Sequence, residues 1–398
     1  MLINDVRALA YTARISWVRP IAGADNIELV GIGGWTCIAK IGEFHEGDIC
    51  VYFEIDSKLP SNKEWCAFME SKKFKVKTMK LSKFGVVSQG LALPINVFDI
   101  EIPNEENIDL TEKLGVTYAD AEDNQRKAPS IDKYKKMVQR RPNLFRRPIV
   151  RWFMRREWGR RMMFVLFGKK KDKSATAFPN HLPFITKSDE ERCENIPHLL
   201  ENKTPWIKTV KIDGTSSLYL LERKKKKNEY WVCSRNVRQL TPEQPCYHSD
   251  NVYWSVDKKY AIRDFLEEML RQHPEWEYVA IQGEIAGVGE DGGKIQGDPH
   301  KFGELRFFAY NFIDSQKGRW NSVEAKNLVQ PYGIEWVPIV DENYILPDDF
   351  EEFKKSADGL CEAPGASGLR EGYVYRNVAN PNLSFKNVSR QYLLKHGQ

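Results

Sequence analysis

The chain has 398 residues, 41 % hydrophobic and 12 % aromatic, and carries a net charge of +5. At roughly 150 residues per domain this length predicts two or three domains, and the apolar content excludes a mainly disordered chain. The seven cysteines (Cys37, Cys50, Cys66, Cys193, Cys233, Cys246 and Cys361) form no C-x-x-C pair. They support neither a zinc ribbon nor a disulfide framework, and reduced, intracellular thiols are expected.

In chain order, the opening residues MLINDVRALAYTA lack the basic start and long apolar run of a secretory leader. Residues 1–125 read as short β-strands. Ile27–Ile32, Trp35–Lys40 and Ile49–Ile55 are strand-length apolar or alternating runs. Gly23-Ala24-Asp25, Gly33-Gly34 and Glu46-Gly47-Asp48 punctuate them. Close turn spacing without a long helical pattern predicts a small closed barrel, ended by an acidic, Asn-rich stretch from Pro103 to Asp123.

Residues 126–174 form a basic linker or helical insertion. From Lys133 to Lys173 there are sixteen Lys or Arg against Glu157 and Asp172, a local charge of +14 that leaves the rest of the chain at −9. Such concentration suits a polyanion, either nucleic acid or an anionic membrane surface. Pro148 is placed to start a helix with Arg147, Arg151 and Arg155 along one face. Trp152, Phe153, Trp158 and the run Met162–Phe167 interleave with the arginines as in interfacial helices, but that run is far too short to span a bilayer. RNA phosphates are the preferred partner, a solvated linker the bland one and a membrane surface the third.

Residues 175–398 change to a mixed α/β texture. Trp206 to Leu221 is a long β-like run interrupted by Asp213-Gly214, and Tyr230-Trp231-Val232-Cys233 returns after a Lys-rich turn. Asp257 to Gln272 reads as one amphipathic helix, with Ile262, Phe265, Leu266, Met269 and Leu270 at helical spacing and His273-Pro274 ending it. Strands are expected at Tyr278–Ala286, Leu305–Ile313 and Tyr373–Tyr375.

The chemistry gathers around Lys211-Ile212-Asp213-Gly214, a K-x-D-G at a strand-to-turn junction. Alone this is a weak signal, because a hairpin lysine is usually solvated. An ordered set follows it: Ser234-Arg235-Asn236, Gln282-Gly283-Glu284, Phe307-Phe308-Ala309-Tyr310-Asn311, Glu371-Gly372-Tyr373-Val374-Tyr375 and Ser384-Phe385-Lys386-Asn387. The series resembles the covalent nucleotidyltransferase superfamily of ATP-dependent RNA and DNA ligases and mRNA capping enzymes. It is most similar to the RNA ligases of the Naegleria and Deinococcus type, which place an OB domain ahead of the ligase domain. RPIAGADNIELVGIGGWTCIAKIGEFHEGDICVYFEIDSKLP and VKTMKLSKFGVVSQGLALP look like that OB domain.

The resemblance implies a multidomain chain: an all-β OB barrel over 1–125, then over 175–398 an α+β, ATP-grasp-like nucleotidyltransferase domain with antiparallel sheets. It implies an enzyme that joins RNA 5′-phosphate and 3′-hydroxyl ends, using ATP and Mg2+ or Mn2+. Its RNA would be a nicked duplex or broken ends, and no obligate protein partner is implied. Lys211 would become the lysyl-adenylate, which needs a neutral amine. Asp213, Glu284 and Glu371 are the carboxylates available to a metal, partly through waters, and Glu284 and Glu371 would also approach the nucleotide. Arg235 and Lys386 would stabilise phosphate charge in the transition state. Thr209 and Val210 would meet the adenine edge and Tyr310 its face. Phe308, expected on the same strand face, is the rival.

Two positions depart from the family pattern. Ser216 stands where many ligases carry an arginine, and Ser384 replaces the first lysine of K-x-K, leaving Lys395 as a possible substitute. Gly287-Val288-Gly289-Glu290-Asp291-Gly292 fits G-x-G-x-x-G formally, but its two acidic residues repel phosphate and it reads as a loop. The alternatives are a DNA ligase or a capping-type guanylyltransferase, both expected to need an OB domain after the last motif, and a non-catalytic RNA-binding protein.

Overall fold

The computed structural model describes residues 1–3, 6–119, 178–187, 189–201, 203–244 and 251–396. The basic stretch from Lys133 to Lys173, and the helix expected after Pro148, lie outside the described residues.

The N-terminal region is built from short strands because turns interrupt its apolar runs every few residues. They are β1 (Ala10–Arg14), β2 (Trp17–Pro20), β3 (Ile27–Ile32), β4 (Trp35–Lys40), β5 (Ile49–Phe53), β6 (Met79–Leu81), β7 (Val86–Ser88) and β8 (Leu91–Pro94). Strands β3 and β4 coincide with the sequence expectation. The ladders run as two three-stranded antiparallel sheets, β8-β5-β1 and β2-β3-β4, rather than one continuous sheet. Single backbone bonds link the two: Ser16 N–H donates to the Gly31 carbonyl (2.8 Å), and Gln89 N–H to the Thr36 carbonyl (2.8 Å). Between them Val30, Trp35, Cys37, Cys50 and Tyr52 are fully or almost fully buried.

The second region uses β9 (Glu191–Arg192), β10 (Trp206–Lys211), β11 (Thr215–Glu222), β12 (Glu229–Ser234), α1 (Val252–Tyr260), α2 (Ile262–Gln272), β13 (Tyr278–Ala286), β14 (Arg306–Asp314), β15 (Gly318–Arg319), β16 (Glu335–Trp336), β17 (Ile339–Tyr344), α3 (Phe350–Lys355), β18 (Gly372–Asn377), β19 (Ser384–Val388) and α4 (Arg390–His396). One sheet has the order β9-β19-β18-β10-β17; the other runs β12-β11-β13-β14-β15, with β16 added to β14. Pairing is antiparallel apart from two short parallel contacts, β9 with β19 and β16 with β14. One apolar core, including Trp206, Tyr219, Ile281, Phe307, Tyr375 and Phe385, is shared by both sheets.

The single helix expected over 257–272 is two helices. Ala261 takes a left-handed φ of 48° and separates α1 from α2. That conformation costs an alanine on the order of 1–2 kcal/mol. Asp257 offsets it: its carboxylate accepts from the Arg263 N–H (3.1 Å), capping the first turn of α2, and from the Tyr230 hydroxyl (2.5 Å). The apolar stripe is as expected. Ile262, Phe265, Leu266, Met269 and Leu270 are all buried, each burial stabilising the fold by about 1.5–3 kcal/mol.

The two regions share a seam. Val388 and Leu393 of the second region are buried in the barrel core. Asn195 sits at its centre with all four hydrogen-bond positions used. Its carbonyl oxygen accepts from Trp35 Nε1 (2.6 Å) and the Tyr11 hydroxyl (3.1 Å), and its amide donates to Glu54 Oε1 (2.9 Å) and Glu191 Oε1 (2.8 Å). The six described cysteines are buried and unbridged. Among the described residues no helix is long and apolar enough to cross a membrane.

Candidate active site

The chain crosses from one sheet to the other between Lys211 and Thr215, so the end of β10 and the start of β11 splay apart and leave a cleft. Gly214 makes the crossing possible, since a Cβ there would lie 2.1 Å from the Ile285 carbonyl oxygen. The turn is held from below. His300, fully buried, accepts the Asp213 N–H at Nε2 (2.8 Å), which leaves its proton on Nδ1 to reach the Leu369 carbonyl (3.1 Å). The buried Tyr392 hydroxyl donates to Asp213 Oδ2 (2.5 Å).

The cleft encloses about 390 Å³, and all nine residues singled out in the sequence line it: Thr209, Val210, Lys211, Asp213, Arg235, Glu284, Tyr310, Glu371 and Lys386. They come from four strands, β10, β13, β14 and β19, and from positions just after β10, just after β12 and just before β18. Lys211 Nζ lies 2.6 Å from Glu371 Oε1. Burial disfavours the ammonium, but Glu371, Glu284 and Asp213 outweigh it and raise the Lys211 pKa. The carboxylates on their own therefore keep the amine protonated, the reverse of what a nucleophile needs. Glu284 carries the surplus: burial, reinforced by the Glu371 charge and opposed by Lys211, pushes it up to about 8. Ser216, where an arginine was expected, donates to Glu284 Oε2 (3.0 Å).

Two observations fit a further cation here. Glu284 is a carboxylate in excess of the local positive charge, and Glu371 Oε2 is buried without a hydrogen-bond partner among the described residues. No three His, Cys, Asp or Glu among the described residues converge as a direct metal cage. The donor set therefore suits a hydrated ion, as magnesium-type chemistry prefers.

The cleft also holds a cationic cluster organised by Asp189, which the sequence reading missed. Its carboxylate accepts from Arg235 Nη2 (2.9 Å) and Lys386 Nζ (3.1 Å). Burial opposes its ionisation, but Lys386, Arg7 and Arg235 hold it below the usual carboxylate range. Lys386 is itself pushed down to about 8 by burial and by Arg7, against the pull of Asp189. Arg192 and Arg376 also line the cleft, and each has buried N–H groups without a partner among the described residues, a feature suited to an anion. Lys395 is exposed on α4 and is not among the cleft residues.

Tyr310 and Phe308 differ in their surroundings. The register slips between Gln282 and Gly283, which pair with Asn311 and Ala309, so Tyr310 is the extra residue of a β-bulge. Phe308 is buried in the core (1 % exposed), while Tyr310 lines the cleft. Thr209 Oγ1 is engaged by the Val374 carbonyl (3.2 Å) and the Val210 N–H by the Pro338 carbonyl (2.9 Å). The Gly287–Gly292 stretch is a loop in which Gly289 N–H donates to the Gly293 carbonyl (2.9 Å).

A small β region followed by a two-sheet domain with a lysine at the sheet crossing is the arrangement of a nucleotidyltransferase preceded by an OB-type domain. Comparison with known families agrees: residues 9–95 match an OB-fold domain model and residues 204–395 the RNA ligase model. Residues 204–395 therefore form an RNA ligase domain. Among solved structures it is similar to a Naegleria gruberi RNA ligase mutant with AMP and manganese, with TM-score 0.70 and 26 % identity over 98 % of this chain and 99 % of that one. A second mutant of that ligase, with ATP and manganese, gives 0.71 and 29 % over 98 % and 100 %. The same ligase with pyrophosphate gives 0.70 and 27 % over 98 % and 99 %. No curated protein matches.

Proposed function

We propose that the chain is an ATP-dependent RNA ligase that joins 5′-phosphate and 3′-hydroxyl ends, with nicked RNA as its substrate. The observation that carries this reading is a lysine at the sheet crossing, 2.6 Å from Glu371, in a cleft lined also by Asp213, Glu284, Arg235 and Lys386. A structurally similar Naegleria ligase has been solved with ATP and manganese, and with pyrophosphate.

In the first step the Lys211 Nζ lone pair forms a bond to the α-phosphorus of ATP, the bond from that phosphorus to the bridging oxygen breaks, and pyrophosphate leaves. The AMP then passes to an oxygen of the RNA 5′-phosphate as the N–P bond breaks. Finally the 3′-hydroxyl attacks that phosphate, loses its proton and releases AMP. Glu371 is placed to take the proton that Lys211 must lose. Arg235 and Lys386, fixed by Asp189, face the charge that gathers on phosphate oxygens. Tyr310 offers its ring to the adenine, beside Thr209 and Val210. Asp213, Glu284 and Glu371 would hold a hydrated Mg2+ or Mn2+. Bound there, the ion supplies positive charge that weakens the carboxylates' hold on the Lys211 proton and offsets phosphate charge.

Incubation with α-labelled ATP or GTP, followed by denaturing electrophoresis, tests the reading. Label from ATP alone, chased into sealed nicked RNA, is expected. Label from GTP would indicate a capping-type transferase, sealing of DNA alone a DNA ligase, and no label a non-catalytic RNA-binding protein.

A further inference from the structure

The barrel carries a second concentration of charge. Between Ser71 and Ser88 there are six lysines (Lys72, Lys73, Lys75, Lys77, Lys80 and Lys83) and no acidic residue. Local structure turns this stretch into a displayed track. Val76 and Thr78 are buried, so the alternation of an extended chain leaves Lys77 outside, and Lys80 follows on the exposed side of β6. Strand β6 pairs with β7 in a tight hairpin whose Leu81 carbonyl accepts from the Phe84 and Gly85 N–H groups (3.0 and 2.9 Å). At its tip the exposed Lys83 ammonium lies 5.0 Å from the Phe84 ring centroid.

The track is anchored to the rim of the cleft. Val76 N–H donates to the Ser57 carbonyl (2.9 Å), and the Val76 carbonyl accepts from Asp56 N–H (3.1 Å). Asp56 is a barrel residue that lines the cleft and takes a hydrogen bond from Arg192 Nη2 (3.0 Å). The segment that carries the lysines is therefore tied by backbone bonds to a residue that lines the cleft. The exposed side chains of Lys73, Lys80 and Lys83, spread from a helix end to a hairpin tip, match a polyphosphate backbone and suit a chain rather than a single anion.

We propose that this lysine track binds the phosphodiester backbone of the RNA strand presented to the cleft. The proposal rests on the RNA ligase reading and adds the surface by which the barrel takes part in it. The track has no role in ATP chemistry.

The test uses the full chain with Lys73→Gln, Lys80→Gln and Lys83→Gln combined. All three side chains are exposed, and an unchanged melting curve verifies folding. Binding of a fluorescent nicked RNA duplex is titrated from 0.05 to 0.5 M salt. Each lost phosphate contact should flatten the log–log slope by about 0.7–0.9, so the variant's slope should fall by about two to three. Its affinity at 0.1 M salt should drop at least tenfold, with lysine labelling by ATP unchanged. The matched control is Lys225→Gln, Lys226→Gln and Lys227→Gln in the turn after β11, which removes the same charge elsewhere and should leave the slope as it was. An unchanged slope in the barrel variant, or an equal change in the control, overturns the proposal. Absence of ATP labelling in the wild-type chain would instead overturn the ligase reading.

Discussion

The cleft and the barrel's lysine track are both rich in charge, yet they hold it in opposite ways. In the cleft, Lys211 meets Glu371, Lys386 and Arg235 share Asp189, and Arg376 meets Glu190 at 2.8 Å. Burying such groups is tolerable only when partners and hydrogen bonds replace water, so each side chain is fixed in place. On the track the side chains of Lys73, Lys80 and Lys83 are exposed and gather counterions, which a polyanion displaces. The first arrangement suits bond making at one phosphorus. The second suits a long substrate whose register must slide.

The comparison breaks most sharply at Lys211. Lys211→Ala removes the amine that the cleft presents to the α-phosphorus, and no exposed lysine of the barrel substitutes for it. Labelling by ATP and sealing of nicked RNA should both fall by at least about a thousandfold. Label persisting on that variant would transfer the chemistry to another residue and undo the division between cleft and track.

The carboxylates come next. Glu371→Ala and Glu284→Ala should each lower the rate of lysine labelling by about a hundredfold or more, since each removes charge stabilisation in a water-poor site. A chelator should likewise stop labelling, and added Mg2+ or Mn2+ should restore it. Lys386→Ala should cost less, about tenfold, because Arg235 still faces the phosphates from the same Asp189 anchor. Near-normal labelling in all three variants would mean that the reacting atoms sit elsewhere.

Much of this cleft could be read from the sequence because its residues sit in short local motifs at strand ends. Lys211, Glu284, Glu371 and Lys386 stand in motifs whose order resembles that of a known family, and the resemblance rather than strand period marks them. What was missed depends on distant chain. Asp189 sits 22 residues before Lys211 in a stretch with no motif, and nothing in its surroundings announces that three cations converge on it. Asp56 reaches the cleft from the other region. Tyr310 was found, but what sets Phe308 apart from it is burial by distant chain, which the two-residue period of a strand does not carry. The split of the predicted helix at Ala261 was likewise invisible, because alanine gives no sign of a left-handed turn; Asp257 supplies it from four residues earlier.

The seam tests whether cleft and barrel are independent. Asn195→Ala would leave the indole N–H of Trp35 (1 % exposed) and the hydroxyl of Tyr11 (3 % exposed) without their acceptor, while Glu54 keeps the Met1 amino group and Arg7 as donors. Stranding buried polar groups costs about 1–3 kcal/mol each, so a total loss of about 2–4 kcal/mol is expected in chemical denaturation. Because Val388 and Leu393 are buried in the barrel core, the loss should appear as one cooperative transition moved to lower denaturant. Two separated transitions in the wild-type chain would show that the regions fold apart. The track could then be removed without cost to the cleft.

The smallest expected effect separates the two aromatic residues on β14. Tyr310→Leu removes the flat ring lining the cleft while keeping apolar bulk, so the KM for ATP should rise about five- to tenfold with the maximal labelling rate nearly unchanged. Phe308→Leu shortens a side chain that is 1 % exposed and packs with Phe302 (ring centroids 5.2 Å apart), so its cost should fall on stability, about 1 kcal/mol, and leave the KM alone. The contrast rests on burial, since Phe308 is closed in the core while Tyr310 lines the cleft. If Phe308→Leu raised the KM as much as Tyr310→Leu does, the two rings would not be separated by burial in solution. The adenine site would then extend across both.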